Sequence, residues 1–548
     1  MRVIALFGRG NIGKTRCLGH LINLIYRETE GYNRLFEGQD MRITLDYMGH
    51  HVAVCTWGDN EEEEQKNLDY IQRHNPDIAI LATRTKGRTV ELVEEFCDET
   101  GSQLKWVEKF VASFDDISGQ EYLNNLQAEQ ILDYVRGLIR GQLYYVDSIT
   151  AVNEDRTSFH VSLFGTENQG GDFPRTLSFE VGANALRYQD SEAQIREDDF
   201  VLYRPDSEHQ FYYGNETPEA LVLRSESRNL REELARLEIQ DEAAEVLTQK
   251  TPDWVKSYHV KVGHGNCSLI LTVYGDEYEL WMVDSSTYDF IIRRDYSQNL
   301  YQCLKDIAVT LNKDVSSLRI SRFMLTHTHF DHYNGLLYLI NLGLIDDKTL
   351  VYANLHYDCA SPVWTAILKA LKNLQCRFVE PVYGNQTIGL INIYHPECRI
   401  CKSGSYPGCR IVPDANNSSV VYGIDFCGRI MVLPGDLEQD GFRAMSSVGN
   451  CSMDLFTSDF YIVSHHGSIN GHPDMPCMNP KQPIPITLDC VSNALVKAIL
   501  MGRDGAFPGI YSPVVVNYWR GAPNRLEITE MAPHYLELDW RSGNVMPR

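Results

Sequence analysis

The apolar run Phe323-Met324-Leu325 leads, through Thr326, into His327-Thr328-His329-Phe330-Asp331-His332, and this junction constrains the fold more than any other segment. Three imidazoles and a carboxylate fall within six residues. Imidazole nitrogens and carboxylate oxygens are the ligands that zinc and manganese take. Gly335-Leu336-Leu337-Tyr338-Leu339-Ile340 reads as a helix just beyond. The expectation is a buried strand, a short loop that gathers these side chains, and a helix.

The same arrangement recurs along the chain. Val432-Leu433-Pro434-Gly435-Asp436 is an apolar strand ending in a Gly-Asp turn. Tyr461-Ile462-Val463-Ser464-His465-His466-Gly467-Ser468 is another ending in histidines, and Leu280-Trp281-Met282-Val283-Asp284 ends in a carboxylate. Each puts a ligand-type residue where a rigid sheet holds a loop.

That order of motifs, Asp, His-x-His-x-Asp-His, Asp, His, resembles the metallo-β-lactamase superfamily over roughly residues 255 to 548. Val262-Gly263-His264-Gly265-Asn266-Cys267-Ser268-Leu269-Ile270 is similar to the Val-Gly-Gln-Gly-Asp-Ala-x-Leu-Ile strand of the hydrolase domain in the ComEC competence-channel branch. Asn416-Asn417-Ser418-Ser419-Val420-Val421, His465-His466-Gly467-Ser468 and the terminal Tyr535-Leu536-Glu537-Leu538-Asp539 are similarly close. Between His332 and Asp436 no Gly-His-Thr segment supplies the superfamily's third histidine of the first site, and the ComEC branch has its Asn-Asn-x-Ser strand near that point.

The resemblance implies an αββα fold holding two divalent ions, Zn2+ or Mn2+. His327 and His329 would bind one ion, Asp331 and His332 the second, with Asp436 bridging and His465 completing the second site. Asp284 would orient a ligating imidazole. Asp331, His466 and Ser468 are the catalytic candidates; His466 and Ser468 would meet the scissile phosphate or leaving group, and for Ser468 a structural turn is the alternative. Two ions about 3.5–4 Å apart can clamp the attacking and leaving oxygens of a phosphodiester.

A second chemical feature opens the chain. The apolar strand Arg2-Val3-Ile4-Ala5-Leu6-Phe7 precedes Gly8-Arg9-Gly10-Asn11-Ile12-Gly13-Lys14-Thr15, and Cys17 to Ile25 continues at helical spacing. This fits Gly-x4-Gly-Lys-Thr of P-loop nucleotide hydrolases in its required context of strand, loop and helix. Gly8, Gly10, Asn11 and Gly13 would let backbone amides curl round a phosphate, Lys14 would reach the outer phosphates, and Thr15 would hold Mg2+. Asp59 or Asp46 could assist the magnesium, or simply cap a helix. Thr85-Lys86-Gly87 lacks the Asp of a guanine-reading motif, so ATP and GTP stay open.

At 548 residues the chain has material for several domains. Residues 1–140 alternate strands and helices, the pattern of a parallel sheet. Residues 142–223 turn to short strands with Gly and Asn turns, a small β-barrel or sandwich. Residues 224–250 read as a charged connector helix with Leu230, Leu234 and Leu237 on one face, and 255–548 as the hydrolase.

The formal charge of −24 argues against a dedicated duplex-DNA binder, which is usually basic. No apolar run reaches the roughly 18 residues of a membrane span, and 14 cysteines without a signal peptide suggest a reducing cytoplasm. Cys398, Cys401 and Cys409 carry part of a zinc-knuckle spacing, with buried thiols as the alternative.

The leading expectation is a metal-dependent phosphodiesterase or nuclease gated by a nucleotide, acting on nucleic acid. A hydrolase joined to a nucleotide switch resembles the build of bacterial anti-phage effectors, which implies partners in a defence complex. Hydrolysis of a small nucleotide messenger is the alternative, and a scaffold with degenerate sites is the third.

Overall fold

Arg2–Phe7 buries both of its faces: Ile4 and Leu6 point to one side and Val3 and Ala5 to the other. A strand with no solvated face belongs inside a sheet covered on both sides. In the computed structural model it pairs in parallel with Ile78–Thr83 and with Gln103–Glu108. His50–Cys55 lies parallel beside Ile78–Thr83, and Arg42–Tyr47 closes the edge antiparallel. Met48 and Gly49 join those two strands with φ of 53° and 78°, the pair of positive angles that a tight two-residue hairpin requires. Helices Lys14–Glu30 and Ile117–Arg140 cover one face, and Glu61–His74 and Arg88–Thr100 the other.

The structure describes residues 1–10, 12–30, 36, 38–111, 117–151, 157–166, 176–191, 193–203, 210–237, 250–355, 357–381, 390–395, 415–426, 428–442, 458–471, 495–506, 509–520 and 525–548. Asn11, Cys398, Cys401 and Cys409 lie outside them. Contacts divide the chain into one unit of Met1–Gln142 and another of Leu143–Tyr203 with Ser207–Arg548.

In the second unit, an open five-stranded sheet comes first, in the order Phe211–Tyr213, Phe200–Tyr203, Gln142–Ala151, Ser158–Gly165, Thr176–Gly182. Alternation splits its side chains between two cores. Tyr144, Val146, Leu163 and Val201 pack on one face among themselves. Leu143, Tyr145, Phe164 and Phe200 on the other join the main core of the C-terminal part. The sheet's second face is therefore buried by the rest of the unit. A helix, Pro218–Ala235, follows; Thr217 caps it, accepting from the Ala220 amide, and Pro218 starts it. Its Leu230 and Leu234 enter the same core, whereas Leu237 is exposed. Arg231 donates to the carbonyls of Leu355 and Tyr357, at 3.3 and 2.9 Å, and pairs with Asp358.

The rest is two mixed sheets packed face to face. The first runs Arg377–Val379, Leu350–Tyr352, Arg322–Met324, Glu277–Ser285, Cys267–Tyr274, Trp254–Val260, Tyr535–Asp539, Val545–Pro547. The second runs Ile391–His395, Val421–Phe426, Arg429–Leu433, Phe460–Ile462, Lys497–Leu500, Leu526–Ile528. Ile270, Trp281, Val283 and Met324 from one interleave with Tyr422, Ile424, Met431 and Phe460 from the other. Helices Ser297–Thr310 and Pro362–Asn373 cover the first sheet's outer face through residues such as Leu304 and Ile367, and Pro513–Arg520 covers the second's through Val515 and Trp519. Among the described residues no helix is long and apolar enough to cross a membrane.

Candidate metal centre

Parallel pairing of Glu277–Ser285 with Arg322–Met324 sets Asp284 beside Thr326 at the strand ends. Asp284 takes φ of 54°, a left-handed conformation that is costly without glycine. Its Oδ1 accepts from the Thr326 amide at 2.8 Å and its Oδ2 from Thr326 Oγ1 at 2.9 Å. Oδ2 also lies 2.8 Å from His332 Nδ1. A carboxylate bonded at Nδ1 makes that nitrogen the donor and leaves Nε2 as the lone-pair nitrogen, the form in which imidazole binds a metal.

The second sheet brings its residues to the same edge. Gly435 turns the chain after Arg429–Leu433 with φ of 59°, and a Cβ there would lie 2.6 Å from the Thr326 side chain, so only glycine fits. Asp436 follows. The parallel neighbour Phe460–Ile462 leads into His465, His466 and Gly467, with φ of 46°, 49° and 74°. His465 donates its amide to the Gly435 carbonyl at 3.1 Å, and Ser464 Oγ bonds the Leu437 carbonyl at 2.8 Å, tying the two turns together.

The result is a buried group of Asp331, His332, Asp436 and His466, whose ligand atoms all lie within 4.8 Å of one another and could hold a metal ion. His466 Nε2 is 3.3 Å from Asp331 Oδ2 and 3.3 Å from Asp436 Oδ2, and His332 Nε2 is 3.3 Å from Asp436 Oδ1. His264 adds a fifth candidate, with Nε2 3.2 Å from Asp331 Oδ2. Among the described residues His327 Nε2, His329 Nε2, His332 Nε2, His466 Nε2 and Asp436 Oδ1 are buried without a well-formed hydrogen bond. Orphaned polar atoms are costly in a protein interior. A shared cation would satisfy those of His332, Asp436 and His466, and that set is chemically suited to a divalent ion.

The crowding of carboxylates and imidazoles shifts their titration strongly. Burial opposes ionisation of Asp436, yet His466, His332 and His465 hold its carboxyl well below the usual range. Burial likewise disfavours the charged His466, but Asp436 and Asp331 lift it to about 9. Burial pushes His327 well below its ordinary value, aided by His332 and His329, and His465 down to about 4.

The placement of each candidate is specific. Asp331, His332 and Asp436 meet directly. His466, read from sequence as a phosphate contact, stands among the four ligand-type residues. His465 sits further out, with Nε2 4.0 Å from Asp436 Oδ2 and Nδ1 3.5 Å from Glu438 Oε1. His327 and His329 flank the group, with ring centroids 4.7 Å apart and the His327 ring 4.1 Å from that of His332. Ser468 Oγ donates to Asn470 within its own turn.

Sequence reasoning did not single out His264. Its signal is the Gly-His-Gly bracket. Gly263 and Gly265 take φ of 72° and 128°, and a Cβ at Gly265 would meet the Asp331 carbonyl at 2.4 Å. The amide of His264 is held by Asp289 Oδ2 at 3.1 Å, and Arg503 Nε steadies that same oxygen at 2.9 Å.

In the first unit, the Gly8–Thr15 segment links Arg2–Phe7 to the helix that starts at Lys14. Lys14 is buried, and its Nζ donates to the Gly8 and Arg9 carbonyls at 3.0 and 2.8 Å and to Asp59 Oδ1 at 3.2 Å. Thr15 Oγ1 donates to Asp40 Oδ1 at 3.0 Å. Asp46 lies elsewhere, paired with His51 on the edge hairpin. Gly13 has φ of 86°, and a Cβ at Gly8 would collide with the Ile12 side chain. Gly10 stands against Arg84, whose Nε donates to the Asp59 carbonyl at 2.9 Å.

Comparison with protein-family models finds no match to this chain, and comparison with curated proteins finds no significant one.

Proposed function

We propose that residues 255–548 form a metallo-β-lactamase-fold hydrolase of the ComEC-like branch, and that the chain cleaves phosphodiester bonds at a divalent-metal centre. The observation that carries this reading is the buried convergence of Asp331, His332, Asp436 and His466 at one edge of two packed sheets. Bound divalent ions supply an activated water at neutral pH and neutralise developing phosphate charge. The chain's own residues do the rest. Asp284 orients His332, the stitched Gly435 and Ser464 turns fix Asp436 and His466, and the left-handed backbone at His465 and His466 accompanies a His466 ring set against Asp331 and Asp436.

The first unit binds a nucleoside triphosphate, ATP or GTP with Mg2+, in this proposal. Lys14 and Thr15 are the phosphate and magnesium contacts, with Asp59 and Asp40 beside them. Nucleotide state then gates the hydrolase, the build of an anti-phage effector with nucleic acid as its target.

A small nucleotide messenger is the second substrate reading. The space beside the metal centre is lined by Asp147, Asp331, Asp436 and three histidines. A chain of charge −24 suits a compact substrate better than a duplex, whose binders are usually basic. Incubation of the full chain with Mn2+ or Zn2+ and circular, linear and single-stranded DNA, alongside cyclic and linear dinucleotides, separates the two. Cleavage of one class, lost in Asp436→Ala, supports the corresponding reading; no cleavage of any of them overturns both.

A further inference from the structure

The open sheet at the start of the second unit does more than fill space against the core. Its loop residue Glu197 and strand residue Asp147 enter the surroundings of the histidine motif from outside the segment that carries the rest of the site. Glu197 Oε1 accepts from the Ile149 amide at 3.0 Å, which leaves Oε2 3.8 Å from His329 Nε2. Asp147 is buried, faces the His329–Asp331 segment, and has an Oδ1 without a partner among the described residues. His329 Nε2 is buried without a well-formed hydrogen bond, Glu197 being its ion-pair partner.

The Glu197–His329 spacing is that of an ion pair, and it also leaves room for a shared ion. A hydrogen bond needs about 2.7–3.2 Å, so 3.8 Å is too long. Two atoms each about 2.0–2.2 Å from a zinc lie roughly 3.4 Å apart at the tetrahedral angle. The Glu197–His329 pair is close to that spacing. Neighbouring Asp198 has no such freedom: Tyr145 and Tyr357 hydroxyls donate to its two oxygens, the latter at 2.5 Å. That clamp, the Tyr145 Oη to Cys359 Sγ contact at 3.3 Å and the Phe164–Phe330 ring contact at 4.6 Å lock the sheet to the site. Asp198 anchors; Glu197 and Asp147 are left facing inward.

We propose that Glu197 and Asp147 complete a second cation position with His327 and His329, so that the antiparallel sheet supplies carboxylate ligands to a centre the C-terminal segment alone leaves short. The lack of a Gly-His-Thr segment between His332 and Asp436 fits this arrangement. The proposal rests on the metal-centre reading above, and its test separates the two. Asp147, Ser148 and Thr150 of the sheet also line the space beside the centre.

Metal content is the readout, independent of any substrate. The full-length chain, stripped with chelator, is titrated with Zn2+ and with Mn2+ by calorimetry, and its bound metal counted by elemental analysis. The same is done for Glu197→Gln, Asp147→Asn and Asp436→Ala. The expected result is two ions in the natural chain, with one lost, or its affinity reduced at least tenfold, in Glu197→Gln and Asp147→Asn. Cobalt(II) substitution adds a spectroscopic check: the visible absorption of one of two cobalt sites should change in Glu197→Gln and keep ligand-field intensity in Glu197→His, which restores a ligand. Thermal unfolding of the metal-free variants serves as the folding control, and Glu197→His carries the test where Asp147→Asn fails it. Two ions bound with unchanged affinity in both carboxamide variants, or a single ion indifferent to them, would overturn the sheet's role and leave the metal centre standing. No ion bound by the natural chain would overturn both.

Discussion

Asp284 Oδ2 stands 2.8 Å from His332 Nδ1, and the same carboxylate takes both the amide and the hydroxyl of Thr326. One side chain thus fixes the ring plane of His332, its tautomer and the loop that carries it. All of these groups are buried, so no water competes for them.

Replacing Asp284 with Asn should therefore leave the ligand in place but no longer hold its tautomer. Such outer partners are worth about 10–100-fold in metal affinity. Competition against a chromogenic chelator should show a loss in that range for Asp284→Asn with the apo unfolding temperature little changed. Unaltered affinity would make Asp284 a purely structural strand cap.

Asp331→Ala and Asp436→Ala remove the carboxylates that His466 reaches at 3.3 Å. Each should abolish high-affinity metal binding and nearly all phosphodiester cleavage, read by elemental analysis and by gel or chromatographic product assay. Undiminished cleavage by a metal-free Asp436→Ala chain would remove the centre from the chemistry.

The parts of this site that sequence made legible are the local ones. His327 to His332 and Asp436 announce themselves because ligand-type residues directly follow apolar strands, and the sheets do converge at those ends. The choice between His465 and His466 was not legible. Two adjacent histidines differ only in direction, and that direction follows from left-handed φ angles that non-glycine residues give no sign of adopting. Glu197 and Asp147 carry no motif, being brought in by the packing of Phe164 and Tyr145 on a core formed more than a hundred residues later. In the first unit the strand order places Asp40 at Thr15, a loop contact with no spacing rule behind it.

Lys14 spends its ammonium on two loop carbonyls and Asp59. An anion in the loop would take over those donors. Calorimetry with ATP, ADP, GTP and GDP should show Lys14→Ala weakening triphosphates more than diphosphates, because the ammonium meets the outer phosphates. Equal affinities in both chains would exclude the loop as a nucleotide site.

Glu64 is buried, and burial pushes its carboxyl up to about 8 against weaker opposition from Thr83, Asn67 and Lys14. A raised acid binds its proton in the folded state over a range where the unfolded chain has released it. Its contribution is then present in full below the ordinary carboxylate range near 4.5 and is lost as pH climbs through about 8. Chemical denaturation across pH 5–9, roughly the window this linkage spans, should show Glu64→Gln flattening the decline of the first unit and stabilising it by up to a few kcal/mol at the alkaline end. A parallel decline in both chains would mean that Glu64 is ionised where it sits.

Residues 143–203 share a core with the C-terminal sheets through Tyr145, Phe164 and Phe200, and helix Pro218–Ala235 adds Leu230 and Leu234. Burying a large apolar side chain is worth about 1.5–3 kcal/mol, so five of them are comparable to the whole margin of about 5–15 kcal/mol by which most domains are stable. A chain beginning at Leu143 should therefore unfold in one cooperative transition. A chain beginning at Val255 exposes Phe330 and the helix-binding face near Leu355, and should be poorly soluble or melt much lower. Differential scanning calorimetry of the two truncations is the measurement. Equal stability would make the antiparallel sheet an independent attachment, which would also weaken any claim that its carboxylates are held rigidly against His329.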